Sequence, residues 1–230
     1  MFDLFSDPVK VAQQLEIITS EFGFATWETL YSLVLEVVFA YLIGLPVGVL
    51  LVTGEKDGIR PLPGWFMKLI NVIINLLRSV PFLILMIIVL PLSKIIVGTK
   101  VGTAATIPPM VIAAFPLVAR MVESSLREVN HGVIEAAQSM GASTWQTIRY
   151  FLLPEAKSSI ILAMTTACVG LIGATAMAGV IGGGGVGDLA VSYGYQQFDT
   201  VAMIATVIIL IIVVQGIQSL GNWLAARSRY

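Results

Sequence analysis

Few side chains in this sequence are equipped for chemistry, and most stand alone. His131 is the single histidine and Cys168 the single cysteine. No carboxylate, histidine or thiol cluster surrounds either, so the sequence spells out neither a metal site nor a paired nucleophile. One cysteine closes no internal disulfide. Cys168 lies in an apolar run and reads as a small buried hydrophobe, and His131 as a solvated loop residue. "GGGGVG" at 182–187 satisfies G-x-G-x-x-G in form only. It follows a long apolar stretch and no βαβ pattern frames it, so it reads as a tight turn whose glycines supply positive φ. "GEK" at 54–56 resembles the end of a phosphate-binding loop, but its spacing from Gly48 is one residue too long and Lys56 does not directly follow Gly54. No other nucleotide-hydrolysing motif is present, so any ATP would be hydrolysed on another chain.

The elements that must position such residues are mostly oily. Of 230 residues, 57% are hydrophobic and 12% charged, and the net charge is −1. Soluble domains carry about 25% charged residues, so the composition is that of an integral membrane protein, and nothing in it attracts nucleic acid. Five stretches are long enough for the ~20 apolar residues a bilayer core demands. They run from about 27–52, 65–92 (with Pro81 inside), 101–122, 158–181 and 200–224. The fold class expected is all-α, with five transmembrane helices in one domain over 26–221. An amphipathic segment over 1–25, capped at Ser6 or Asp7, precedes it, with Val11, Leu15, Ile18 and Phe22 on one face. Its acidic start, with no apolar core behind a basic stretch, does not read as a signal peptide. Lysines and arginines set the orientation. Lys56, Arg60, Lys68, Arg127, Arg149, Lys157, Arg227 and Arg229 fall on one side, and only Lys10, Lys94 and Lys100 on the other. The N-terminus is thus expected outside, making the 1–25 segment periplasmic, and the tail 222–230 cytoplasmic.

The polar stretch "EAAQSMGASTWQTIRYFLLPEA", 135–156, then becomes cytoplasmic. Asn130 suits the cap of a short helix and Gly141 the left-handed turn that ends it. Ser143 or Thr144 opens a second helix that Pro154 bends or breaks. Glu135 stands beside small Ala136 and Ala137, a shape and charge suited to insertion into a groove on another protein. A plain connector between spans is the alternative.

This stretch resembles the signature loop of binding-protein-dependent ABC importer permeases, E-A-A-x3-G-x9-I-x-L-P. Glu135, Ala136, Ala137, Gly141, Leu153 and Pro154 match, and Phe151 replaces the usual isoleucine. "WETL" at 27–30, "YLIGLPVGVLL" at 41–51, "RSVPFLILM" at 78–86, "ARMVESSL" at 119–126 and "GGGGVGDLAVSYGYQQF" at 182–198 are similar to the methionine-import subfamily from residue 27 onward. The resemblance implies a type I ABC importer permease fold in the bacterial inner membrane. The loop, about 130–154, would couple to an ATPase. Two copies of the chain, two ATPase subunits carrying ATP and Mg, and an extracytoplasmic binding lipoprotein are the implied partners, with no cofactor on this chain. Methionine is the implied substrate, with glycine betaine or another small zwitterion as alternative. A stand-alone ion-coupled carrier would show charged relays and inverted repeats, and neither is found. A pure assembly protein that docks through this loop and moves nothing is a further alternative.

Two charges lie deep in the expected spans, where each costs at least ~2.5–3.5 kcal/mol. At ~1.5 Å per residue, Glu36 and Arg78 sit roughly 24 and 20 Å from the same membrane face. They either form an ion pair, or Arg78 faces the pathway and meets the substrate carboxylate. Phe82, Met86, Met164, Thr165 and Met177 are the other candidates for a path. Ser158, Thr165, Ile172 and Ala176 share one face of the fourth span, and Gly44 and Gly48 form a small-xxx-small pair in the first. Close helix packing explains both stripes equally.

Overall fold

In a computed structural model that describes residues 8–228, with side chains from residue 20, the apolar stretches are helices, and no strand occurs among the described residues. The first, α1, runs from Pro8 to Thr53 over 46 residues. The expected amphipathic segment and first span are thus one helix. Residues 20–30 offer only Gly23 as a breaker, and a single glycine costs about 1 kcal/mol inside a helix. The caps at Ser6 or Asp7 and the side chains of Val11, Leu15 and Ile18 lie outside the described residues, while Phe22 is buried.

The second span is broken. Helix α2, Gly64–Ser79, and helix α3, Phe82–Val97, meet at a bend of 109°. Val80 is extended at φ −78°, ψ 128°, as a residue before proline is driven to be, and Pro81 brings no N–H to continue the ladder. Helix α4, Thr103–Arg127, follows. The polar stretch forms α5, His131–Ser139, then α6, Thr144–Gln146, a π-helical turn Thr147–Leu152, and α7, Leu153–Glu155. Helix α8 is Lys157–Gly179 and α9 is Gly185–Leu189. A second π-helical turn, Ala190–Gln196, leads to α10, Thr200–Arg227. Four helices are long and apolar enough to cross a membrane, or five if the bent pair is counted as one span.

Two compact units divide these helices. One holds the chain through Glu36, Met86–Met110 and Gly170–Gly216, and buries Phe22, Ala25, Leu33, Met110, Leu171, Val186 and Ala202. The other holds Val37–Leu85, Val111–Val169 and the chain from Ile217. Its core gathers Leu51, Met67, Ile74 and Ala119, flanked by Val47, Leu62 and Ile70. Within it α1 and α4 approach closely: a Cβ on Gly44 would lie 2.7 Å from Val118 Cγ1, and one on Gly48 2.7 Å from the Ala119 carbonyl oxygen. Only glycine permits that approach, so the small-xxx-small pair is a packing device. Ile204, Val207, Ile208, Ile211 and Ile212 of α10 stay exposed, the all-round apolar surface of a helix built for lipid or for neighbouring helices.

Candidate functional site

The segment matching the signature loop is framed by local hydrogen bonds. Asn130 Oδ1 accepts from the Gly132 amide at 2.8 Å and caps α5. At the other end Gly141 takes φ +80°, and the Ala142 amide donates to the Ala137 carbonyl at 3.1 Å. Ser143 and Gln146 exchange a capping box, with the Ser143 amide donating to Gln146 Oε1 at 2.8 Å. The helix continues through Pro154 instead of breaking there. The π-helical turn just before it re-spaces the backbone where proline supplies no donor, and the chain turns only at Ala156 before α8 resumes.

What α5 displays is selective. Ile134 and Ala137 are buried and anchor it, while Glu135 and Ala136 face outward. Of the two alanines beside Glu135, only Ala136 is therefore free for close approach. The Glu135 side chain is 69% exposed and pairs with His131 Nδ1 at 3.1 Å. Met140, Trp145 and Tyr150 are also exposed, which adds apolar and aromatic area to the acidic spot. Gly141 and Pro154 are exposed, whereas Leu153 lines a cleft of about 470 Å³ with Leu45, Pro46, Val49 and Trp145.

A polar network braces this face, and the sequence reading passed over its centre. Arg120 donates to Glu123 at 2.7 Å, to Asn71 Oδ1 at 2.7 Å and to Asn75 Oδ1 at 3.1 Å. Arg127 joins Glu123 at 2.8 Å and Glu55 at 3.0 Å. The spacing of Arg120, Glu123 and Arg127 at three and four residues was the available signal. Where α8 begins, Ser158 donates to the Ala225 carbonyl at 3.1 Å, and Ser159 donates to Glu128 at 2.8 Å.

The path candidates do not form one lining. Arg78 and Phe82 share a cleft of about 410 Å³ at the break between α2 and α3. Met86 is fully buried in a core, so it lines no path here. Thr165 bonds the Ile161 carbonyl and packs so tightly on Gly221 that a Cβ there would overlap it; its role is helix packing. Met164 is half-buried and Met177 exposed. Glu36 and Arg78, the residues of the expected pair, fall in different compact units. Both Glu36 carboxylate oxygens are buried without a hydrogen-bond partner, and no ion pair among the described residues holds Arg78.

The glycine run is a locked turn. Gly182, Gly184 and Gly185 have φ of 73°, 70° and 74°. Glu28 Oε2 accepts from the Gly185 amide at 3.0 Å while its Oε1 accepts from Thr103 Oγ1 at 2.9 Å. Thr29 Oγ1 accepts from the Val186 amide at 2.9 Å. In the same unit a hydrogen bond to Glu21, aided by desolvation, raises the Tyr193 phenol above its usual range. No group of three metal-ligating side chains occurs among the described residues.

Comparison with known proteins places this geometry. Residues 44–230 match the family described as binding-protein-dependent transport system inner membrane component. The "Probable D-methionine transport system permease protein MetI" of Vibrio cholerae is 47% identical over 204 residues, covering 88% of this chain and 90% of that protein. The "Methionine import system permease protein MetP" of Bacillus subtilis is 48% identical over 154 residues, covering 65% and 69%. Among solved structures, a chain of the MetNI methionine ABC transporter in an inward-facing conformation superposes with TM-score 0.89 at 36% identity, covering 93% of this chain and 98% of that one. The chain belongs to the family of binding-protein-dependent transport system inner membrane components, as a multi-pass permease subunit of an ABC transporter.

Proposed function

We propose that this chain is the membrane-spanning subunit of an ATP-driven importer that carries methionine into the cytoplasm. The observation that carries this reading is likeness over nearly the whole chain to permeases named for methionine transport, together with a shared fold. Both L- and D-methionine, or derivatives, fit the substrate class.

The assembly read here contains two copies of this chain, two ATPase subunits that bind ATP and Mg, and an extracytoplasmic binding protein. Basic residues favour the side of α5 as cytoplasmic, with the N-terminus outside. There α5 offers Glu135 and Ala136 on a helix anchored by Ile134 and Ala137, with Gly141, Leu153 and Pro154 holding the turn and the following helix. A basic side chain in an ATPase groove would meet Glu135 in a charge-assisted contact. ATP binding draws the two ATPases together and carries the coupling helices with them. The bundles rock open toward the binding protein, and hydrolysis reverses the motion.

Uptake of labelled methionine by vesicles holding this chain, its co-encoded ATPase and its binding protein tests the reading. ATP-dependent uptake that Glu135→Lys reduces at least about tenfold is the expected result, the worth of one charge-assisted contact turned into repulsion. Uptake without ATP would indicate a carrier acting alone. ATPase binding with no methionine uptake would keep the permease and reject the substrate.

A further inference from the structure

We propose that the break between α2 and α3 is a relay site for the substrate, with Arg78 holding its carboxylate. The inference rests on the importer reading above and adds where the solute is held. Irregular backbone at membrane depth persists only where protein buries it or where it lines a wet cavity. An arginine inside a span marks a pathway unless an acid neutralises it. Both conditions meet here. Arg78 lies fourteen residues beyond Gly64, about 21 Å along the axis, one residue from the end of α2. It is exposed, and no hydrogen bond or ion pair among the described residues holds its guanidinium.

The surrounding cleft, about 410 Å³, is lined by Arg78, Ser79, Phe82, Leu85, Ala113 and Leu117 among others, and no acid lines it. Its size falls in the range of ligand pockets, roughly 300–1,000 Å³. The chemistry it fits has three parts. A carboxylate suits the planar fork of Arg78. An ammonium group suits the last carbonyls of α2, which a helix end leaves without intrahelical partners and which form its negative pole. The Ser79 hydroxyl takes only one of them, that of Leu76, at 2.8 Å. An uncharged, flexible side chain suits Phe82, Leu85 and Leu117. Together these describe a zwitterionic amino acid with an apolar tail, held as discontinuous membrane helices hold charged solutes. A net-anionic lipid headgroup is the other anion that an exposed arginine attracts.

The test compares wild type, Arg78→Gln and Arg78→Lys in the complete transporter in vesicles, counting labelled methionine moved per ATP hydrolysed. Arg78→Gln is expected to lower that ratio about tenfold or more, as removal of a charge-assisted contact does, and Arg78→Lys to restore part of it. An unchanged ratio in Arg78→Gln overturns the inference, as does a lysine variant no better than glutamine. A loss seen with anionic lipid and absent in pure phosphatidylcholine would assign the guanidinium to a net-anionic lipid headgroup, and the inference falls. If the wild type moves no methionine, the importer reading fails before the variants are compared, and this inference goes with it.

Discussion

Glu28 closes a turn that lies 157 residues further along the chain, through its bond to the Gly185 amide. One carboxylate satisfies two donors, the second being Thr103 Oγ1, at a point where three glycines hold positive φ. Hydrogen bonds to charged groups contribute about 1.5–3 kcal/mol each. Glu28→Ala is therefore expected to lower the thermal unfolding temperature of the purified complex, with a loss in that range. Glu28→Gln, which keeps one acceptor oxygen, should lose less. "WETL" was visible in the sequence as part of a likeness, but its role was not, because its partners are distant in the chain. The same distance hid Arg120, whose acceptor Asn71 lies 49 residues away. Glu36 was legible as an expensive residue, and its carboxylate oxygens are indeed buried.

Helices and their caps were the more readable level. Asn130, Gly141 and Ser143 act on groups within five residues, so their types announce the α5 boundaries and the turn that follows. Pro81 announced a break in the second span, but nothing local sets the angle of 109°, which packing decides. Pro154 likewise announced a bend or break before the fourth span; a π-helical turn carries the helix through the proline itself, and the turn comes at Ala156. The α1–α4 crossing gives a sharp expectation at this scale. A side chain at Gly48 would collide with the Ala119 carbonyl oxygen and Val122 Cβ. Gly48→Ala is expected to cost about 1–3 kcal/mol, as overpacking does, read as a lower unfolding temperature in detergent. Gly173, with open space around it, serves as the control and should tolerate alanine.

For the whole molecule, composition and span count were legible at once, since a bilayer admits few architectures. Assembly was not, because the surfaces that meet a second copy look like those that meet lipid. The importer reading requires two copies of this chain for an enclosed path. Native mass spectrometry of the purified transporter is expected to give two copies with two ATPase subunits. A single copy per complex would contradict the reading.

Helix α1 carries a consequence of its own. At about 1.5 Å per residue its 46 residues span about 69 Å, more than twice the ~30 Å of a hydrocarbon core. Tilts of up to about 40° do not hide that length, so roughly two-fifths to three-fifths of the helix stands clear of the hydrocarbon core. A continuous helix transmits register as well as position. One residue inserted near Gly23 would turn everything before it by about 100° and lift it about 1.5 Å, leaving the membrane part untouched. The N-terminal end is thus a ruler and a protractor in one, aimed by the count of residues beneath it.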